Sequence, residues 1–184
     1  NQNAQAEYYL TDVVALALAD GIAVEVVKAG AACETLGVNS RAQLARVERL
    51  FQQQCATRLM EQGVTLVDPM RFDLRGEMVC AHDVRIDVNC VFEGRVTLGA
   101  GVEVGANCVM RNVEVGAGTR IEPFTHIDEA TIGAQCRIGP YARIRPGTRL
   151  AEEVHIGNFD EIKATEIPAG SKANHLAYVG DSSI

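Results

Sequence analysis

Two hydrophobic rhythms divide the chain. Up to about residue 63 apolar residues recur at three and four, as on one side of a helix; from about Cys80 they recur at six. The run EYYLTDVVALALAD, residues 7–20, predicts a helix with acids near its start and Gly21 placed to stop it. The β-branched residues of IAVEVV predict a short strand, and the loop KAGAACETLGV leads to Asn39 and a second helix. Ser40 and Gln43 have the spacing of a capping box, Leu44, Val47, Phe51, Cys55 and Leu59 mark one side, and Gly63 marks the stop. The other side carries Arg41, Arg46, Arg49, Gln52, Gln53 and Arg58, so this helix is expected to be an arm bridging two packed regions.

In the period of six, aliphatic or bulky apolar residues stand at Ile86, Phe92, Leu98, Val104 and Met110, then Val115, Ile121 and Ile127, then Ile132, Ile138, Ile144, Leu150, Ile156 and Ile162. The pattern continues less cleanly through Ile167, Ala173, Val179 and Ile184. Hexapeptides of this kind predict a parallel β-helix, in which six residues form a short strand and a corner and three such turns close one coil. Inward space is filled by small or apolar residues four places on: Cys90, Val96, Val102, Cys108, Cys136, Ala142 and Val154. That makes Cys90, Cys108 and Cys136 core fillers before ligands. Asp160 sets a charge at an inward position, which the repeat does not explain.

Residues eighteen apart then lie one above the other, about 4.8 Å apart. Arg145 and Lys163 form such a pair where the preceding turns have glycine. Two like charges at that distance repel by about 3 kcal/mol near a protein surface, so an anion is expected between them. Glu161 is one candidate, being stacked with Arg143 one place earlier and expected to pair with it; a bound phosphate is the other. Tyr178 falls in the column of Arg143 and Glu161, and His175 approaches the same corner as a candidate general base. His126 and His155 fall on different faces, which argues against a histidine cage for a metal.

Composition narrows the classes. A net charge of −7 without a basic tract removes the electrostatic footprint of a nucleic-acid binder, and the six cysteines show no CxxC. Reduced thiols in a cytoplasmic protein are expected. The early apolar run is interrupted by Asp12, which predicts neither a signal peptide nor a membrane span, and the chain, opening at Asn1, reads as an internal segment of a longer protein.

The stretches NAQAEYYLTD, GVNSRAQL, DPMRFDLRG, IGPYARIRPG, HIGNFDEIK and GSKANHLAYVGD together resemble the bacterial bifunctional enzymes that combine a glucosamine-1-phosphate N-acetyltransferase with an N-acetylglucosamine-1-phosphate uridyltransferase. The resemblance implies a mainly β protein: the C-terminal end of an α/β nucleotidyltransferase domain over residues 1–41, a linker helix over 42–63, and the N-terminal part of a left-handed parallel β-helix over 64–184. It implies acetylation of glucosamine 1-phosphate by acetyl-CoA, then UMP transfer from UTP to N-acetylglucosamine 1-phosphate, giving UDP-N-acetylglucosamine for peptidoglycan and lipopolysaccharide precursors.

By the same resemblance, Arg145 and Lys163 hold the sugar phosphate, Tyr178 and Glu161 contact the substrate, and His175 is the base. Asn39 becomes a ligand of Mg2+ and of the nucleotide sugar, with Tyr9 and Thr11 as further contacts; on spacing alone Asn39 is a helix cap. A homotrimer is implied, without membrane or nucleic-acid partners. Ser40, Ala164 and Asp160 depart from the family pattern, and Asp160 is expected to add negative charge near Lys163. The segment by itself is expected to catalyse neither reaction. The competing readings are a noncatalytic β-helix that trimerises a nucleotidyltransferase, and another hexapeptide acyltransferase.

Overall fold

The computed structural model describes residues 9–182; the first residues of the predicted first helix and the repeat position Ile184 lie outside them. The chain forms two bodies, one running to Asn39 and one from Ser40 onward.

In the first body, α1 spans Asp12–Ala19 and a short 3-10 turn spans Ala32–Thr35. The predicted strand IAVEVV does not form. A strand needs a neighbour for its N–H and C=O groups, and among the described residues of this body none is offered. None of its described apolar side chains is buried; Leu10 and Val27 are 86% and 87% exposed.

The second body opens with α2, Arg41–Glu61, whose N-cap Ser40 accepts the Gln43 N–H at 3.2 Å. Its buried side agrees with the predicted one at Cys55 and Leu59 but turns toward Gln52 and Ala56, which are also buried, while Leu44 and Phe51 are exposed. The reason is local chemistry. Gln52 donates from Nε2 to the Leu74 carbonyl at 2.8 Å and accepts the Leu74 N–H on Oε1 at 2.7 Å, so its amide pairs with the strand edge as a neighbouring peptide would. The helix thereby closes that edge and turns Phe51 outward.

Beyond it the chain winds as a parallel β-helix. One face stacks Thr65–Leu66, Arg85–Ile86, Glu103–Val104, Arg120–Ile121, Arg137–Ile138, His155–Asn158 and Lys172–His175 as a 7-stranded parallel sheet. The other two faces belong to one forked sheet. Phe72–Cys80, Cys90–Leu98 and Val109–Val115 run across both; later coils divide into His126–Asp128, Arg143–Ile144, Glu161–Lys163 and Tyr178–Gly180 on the second face, and Thr131–Ile132, Arg149–Leu150 and Glu166–Ile167 on the third. In the early coils Gly76 and Gly94 stack where the later coils turn a corner. A Cβ on Gly94 would lie 2.1 Å from Asn112 Oδ1, and φ there is +64°. Glycine takes that left-handed backbone without strain, and Asn112 takes it at the same corner of the next coil, with φ of +51°.

The six-residue rhythm maps onto the structure directly, with every apolar marker from Ile86 to Ile162 buried. Coils are 18 residues long where Arg85 pairs with Glu103, and 17 where Glu103 pairs with Arg120. Inward cysteines and threonines fill the core and also tie coils together. Cys90, Cys108 and Cys136 donate to the carbonyls of Gly105, Glu122 and Ala151 at 3.1, 3.3 and 3.1 Å. Thr119 Oγ1 accepts the Cys136 N–H at 3.0 Å. At the corner before the second face, Phe124, Tyr141 and Phe159 adopt left-handed backbone and stack outward, with ring centroids 4.9 and 5.2 Å apart.

Candidate functional site

The corner between the second and third faces carries a charged outward row: Arg75, Glu93, Arg111, Asp128, Arg145 and Lys163, followed by Gly180 in the last described coil. Signs alternate along it until Arg145, where a cation meets a cation. Arg75 pairs with Glu93 at 2.9 Å and Arg111 Nε with Asp128 at 2.8 Å. That guanidinium holds the Asp128 carboxyl below the ordinary carboxylate range, against the opposing effect of desolvation.

Arg145 and Lys163 both turn to carboxylates. Arg145 Nη1 lies 2.8 Å from Glu161 Oε1, and Lys163 Nζ lies 3.0 Å from Asp181 Oδ2; both cations are half-buried. The expected partner of Glu161 was Arg143, and the two are register neighbours as predicted, but the ion pair forms with Arg145 instead. Asp128, beside Arg145 in the row, is already taken by Arg111. Asp181 was missed at the sequence level; the coil here is 17 residues long, so Gly180 stacks on Lys163 and Asp181 reaches it from one residue further on. A cation beside a cation is not special to this corner: Arg120 pairs in register with Arg137, and each is balanced by its own carboxylate, Glu103 and Glu122.

What distinguishes this corner is its neighbourhood. Tyr178 pairs in register with Glu161, which pairs with Arg143, so the predicted column exists. His175 ends the last described strand of the first face, opposite Asn158. Only Leu176 and Ala177 separate that strand from the one beginning at Tyr178. His175 and Tyr178 are both exposed and flank the turn that leads into the second face, one coil along from Lys163 and two from Arg145, which stand at the other end of that face. His126 and His155 lie on the second and first faces respectively.

Asp160 is where the expectation of a charge near Lys163 is corrected. It is 1% exposed, and its carboxylate points into the coil, where Oδ2 accepts the Gly157 N–H at 3.0 Å and Oδ1 the Ala177 N–H at 2.8 Å. A buried carboxylate with two peptide donors is a satisfied group. It bears on backbone, not on the outward cations.

The first body places Tyr9 just before α1, Thr11 at its N-terminus and Asn39 just before the cap of α2. Asn39 offers a single neutral side-chain oxygen, and no cluster of three or more histidine, cysteine or acidic side chains suited to a metal occurs among the described residues. These residues alone do not fit a magnesium site. No described helix is long and apolar enough to cross a membrane.

Stacked hexapeptide coils, inward small residues and outward charged rows define a parallel β-helix of the hexapeptide-repeat class. More specifically, the chain belongs to the family described as the GMPPB C-terminal domain, which matches residues 74–172. All 184 residues align with the Bifunctional protein GlmU of Azoarcus sp. (strain BH72) at 61% identity, with that of Cupriavidus pinatubonensis (strain JMP 134 / LMG 1197) at 60%, and with that of Burkholderia multivorans (strain ATCC 17616 / 249) at 59%. The chain spans 40 to 41% of the length of these relatives. Among solved structures, the acetyltransferase domain of PglB from Neisseria gonorrhoeae FA1090 in complex with acetyl coenzyme A is similar over 66% of this chain and 62% of that one, with 17% identity and a TM-score of 0.39. That likeness is too distant to bear on the site.

Proposed function

We propose that these residues form part of a bifunctional enzyme that acetylates glucosamine 1-phosphate with acetyl-CoA and transfers UMP from UTP to N-acetylglucosamine 1-phosphate. The observation that carries the acetyltransferase reading is one arrangement on the second face: two stacked cations, Arg145 and Lys163, at one end, and a turn flanked by His175 and Tyr178 leading into the other. The cations bind the sugar phosphate, with Glu161 and Tyr178 contacting the sugar. The substrate's ammonium group must lose a proton before its nitrogen can attack the thioester, and His175 takes it. The C–N bond forms as the C–S bond breaks, and the departing thiolate is protonated. Whole-chain identity near 60% to proteins named as bifunctional supports the reading.

For the uridyltransferase reaction, Asn39, Tyr9 and Thr11 are proposed as contacts of the nucleotide sugar with Mg2+ as its ion, on family likeness alone. A cytoplasmic homotrimer is proposed on the same ground. The domain limits 1–41, 42–63 and 64–184 belong to this reading.

The test is turnover by the protein as encoded by its gene. His175→Ala should lower acetyl transfer by roughly 10²- to 10⁴-fold, the usual worth of a positioned base, with the thermal midpoint unchanged. Near-normal turnover would remove His175 from the role. Lys163→Ala should weaken glucosamine 1-phosphate by about tenfold or more in calorimetry, the value of a charge-assisted hydrogen bond. The second reading, a noncatalytic assembly module, is favoured by the ion pairs that already satisfy both cations. Unchanged phosphate affinity in Lys163→Ala would select it.

A further inference from the structure

We propose that Asp160 is a positioning residue for His175, acting on the turn that runs from it to Tyr178, an inference that rests on the acetyltransferase reading above. The turn between them is held from three sides. His175 is in register with Asn158, the Leu176 N–H donates to the Asn158 carbonyl at 3.2 Å, and the Ala177 N–H donates to Asp160 Oδ1 at 2.8 Å. The last bond is the one a side chain supplies.

An analogous tie exists at another corner, where Thr119 accepts the N–H of Cys136 one coil later. At Asp160 the acceptor is a buried carboxylate, and it reaches two donors at once. Its second bond fixes Gly157, where the chain is tightest: a Cβ on Gly157 would meet the Asn174 carbonyl at 1.7 Å. Here, too, the first face lengthens. Its earlier strands have two residues each, whereas His155–Asn158 and Lys172–His175 have four, carrying the sheet out to His175. Asp160 thus joins the backbone of one coil at Gly157 to that of the next at Ala177, with His175 two residues before that anchor and Tyr178 one after.

Charge-assisted bonds to peptide N–H groups are short and directional, so the tie limits how far the turn can swing. Its loss frees the side chains flanking Ala177 without touching Arg145 or Lys163. The effect belongs in turnover and not in sugar-phosphate affinity.

Two variants test this in the protein as encoded by its gene. Asp160→Val removes both acceptors. Asp160→Asn keeps the shape and can accept from only one N–H while its amide group faces the other. Expected are faster hydrogen exchange at the Ala177 amide in both, unchanged exchange at the Arg145 amide, and kcat lower by roughly ten- to hundredfold with KM for glucosamine 1-phosphate within about twofold, as for a displaced catalytic group. If Asp160→Val does not fold, the isosteric Asn variant carries the same readouts. Full kcat in folded Asp160 variants, with His175→Ala inactive, overturns the positioning role and leaves the base in place. Full turnover in His175→Ala overturns both. Parallel changes in KM and kcat, or an Ala177 amide that exchanges no faster, also overturn the proposal.

Discussion

At the scale of single residues, what decides the charged corner is which carboxylate each cation reaches. Asp128 shows it in measurable form. Arg111 lowers its pKa, so the ionised carboxylate is favoured in the fold. A group with a depressed folded pKa contributes stability that is present above its unfolded pKa of about 3.9 and is lost as pH falls through the folded value. Carbon-detected titration should therefore find Asp128 still ionised where free aspartate is half protonated, and Arg111→Gln should return it toward the ordinary value. The pairing of Arg145 with Lys163 was legible because the repeat length stacks them. Asp181 was less legible, because the next coil is one residue shorter and puts Gly180, not Asp181, in register with Lys163. Asp160 was not legible, because hydrophobic periodicity identifies an inward position but not the peptide N–H groups waiting there.

At the scale of elements, the hexapeptide strands from Arg85–Ile86 to Glu161–Lys163 followed the sequence because each has a buried marker and at least one neighbour in register. IAVEVV has the composition of a strand but no described neighbour to pair with, and propensity alone did not hold it. The same point explains α2, where Gln52 is buried because the strand edge at Leu74 requires a partner. Gln52→Leu keeps bulk but orphans the Leu74 N–H and C=O, which should cost about 1–3 kcal/mol for each buried group in urea unfolding. Phe51→Ala, on the exposed side, should change the midpoint little. Gly94→Ala should also destabilise, since its backbone is left-handed and its Cβ would push the Asn112 side chain off the Arg95 N–H.

At the scale of the whole molecule, the β-helix is a stack in which each coil touches chiefly the coils before and after it. Such a body should open from its ends. Amide exchange should be slowest across the middle coils, near Ile121 to Ile144, and faster in Lys172–Gly180. The interior thiols should follow: burial pushes Cys80 up to about 11, and Cys108 is raised as well, by its contact with Cys90 and by desolvation. A thiol reagent should leave Cys90, Cys108 and Cys136 untouched until the coils part. The aromatic column makes that parting visible. The chain has no tryptophan and four tyrosines, and Tyr141 sits between Phe124 and Phe159, each contributed by a different coil. Its emission and near-ultraviolet dichroism are a built-in optical gauge of coil register, able to report a slip of one turn without any added label.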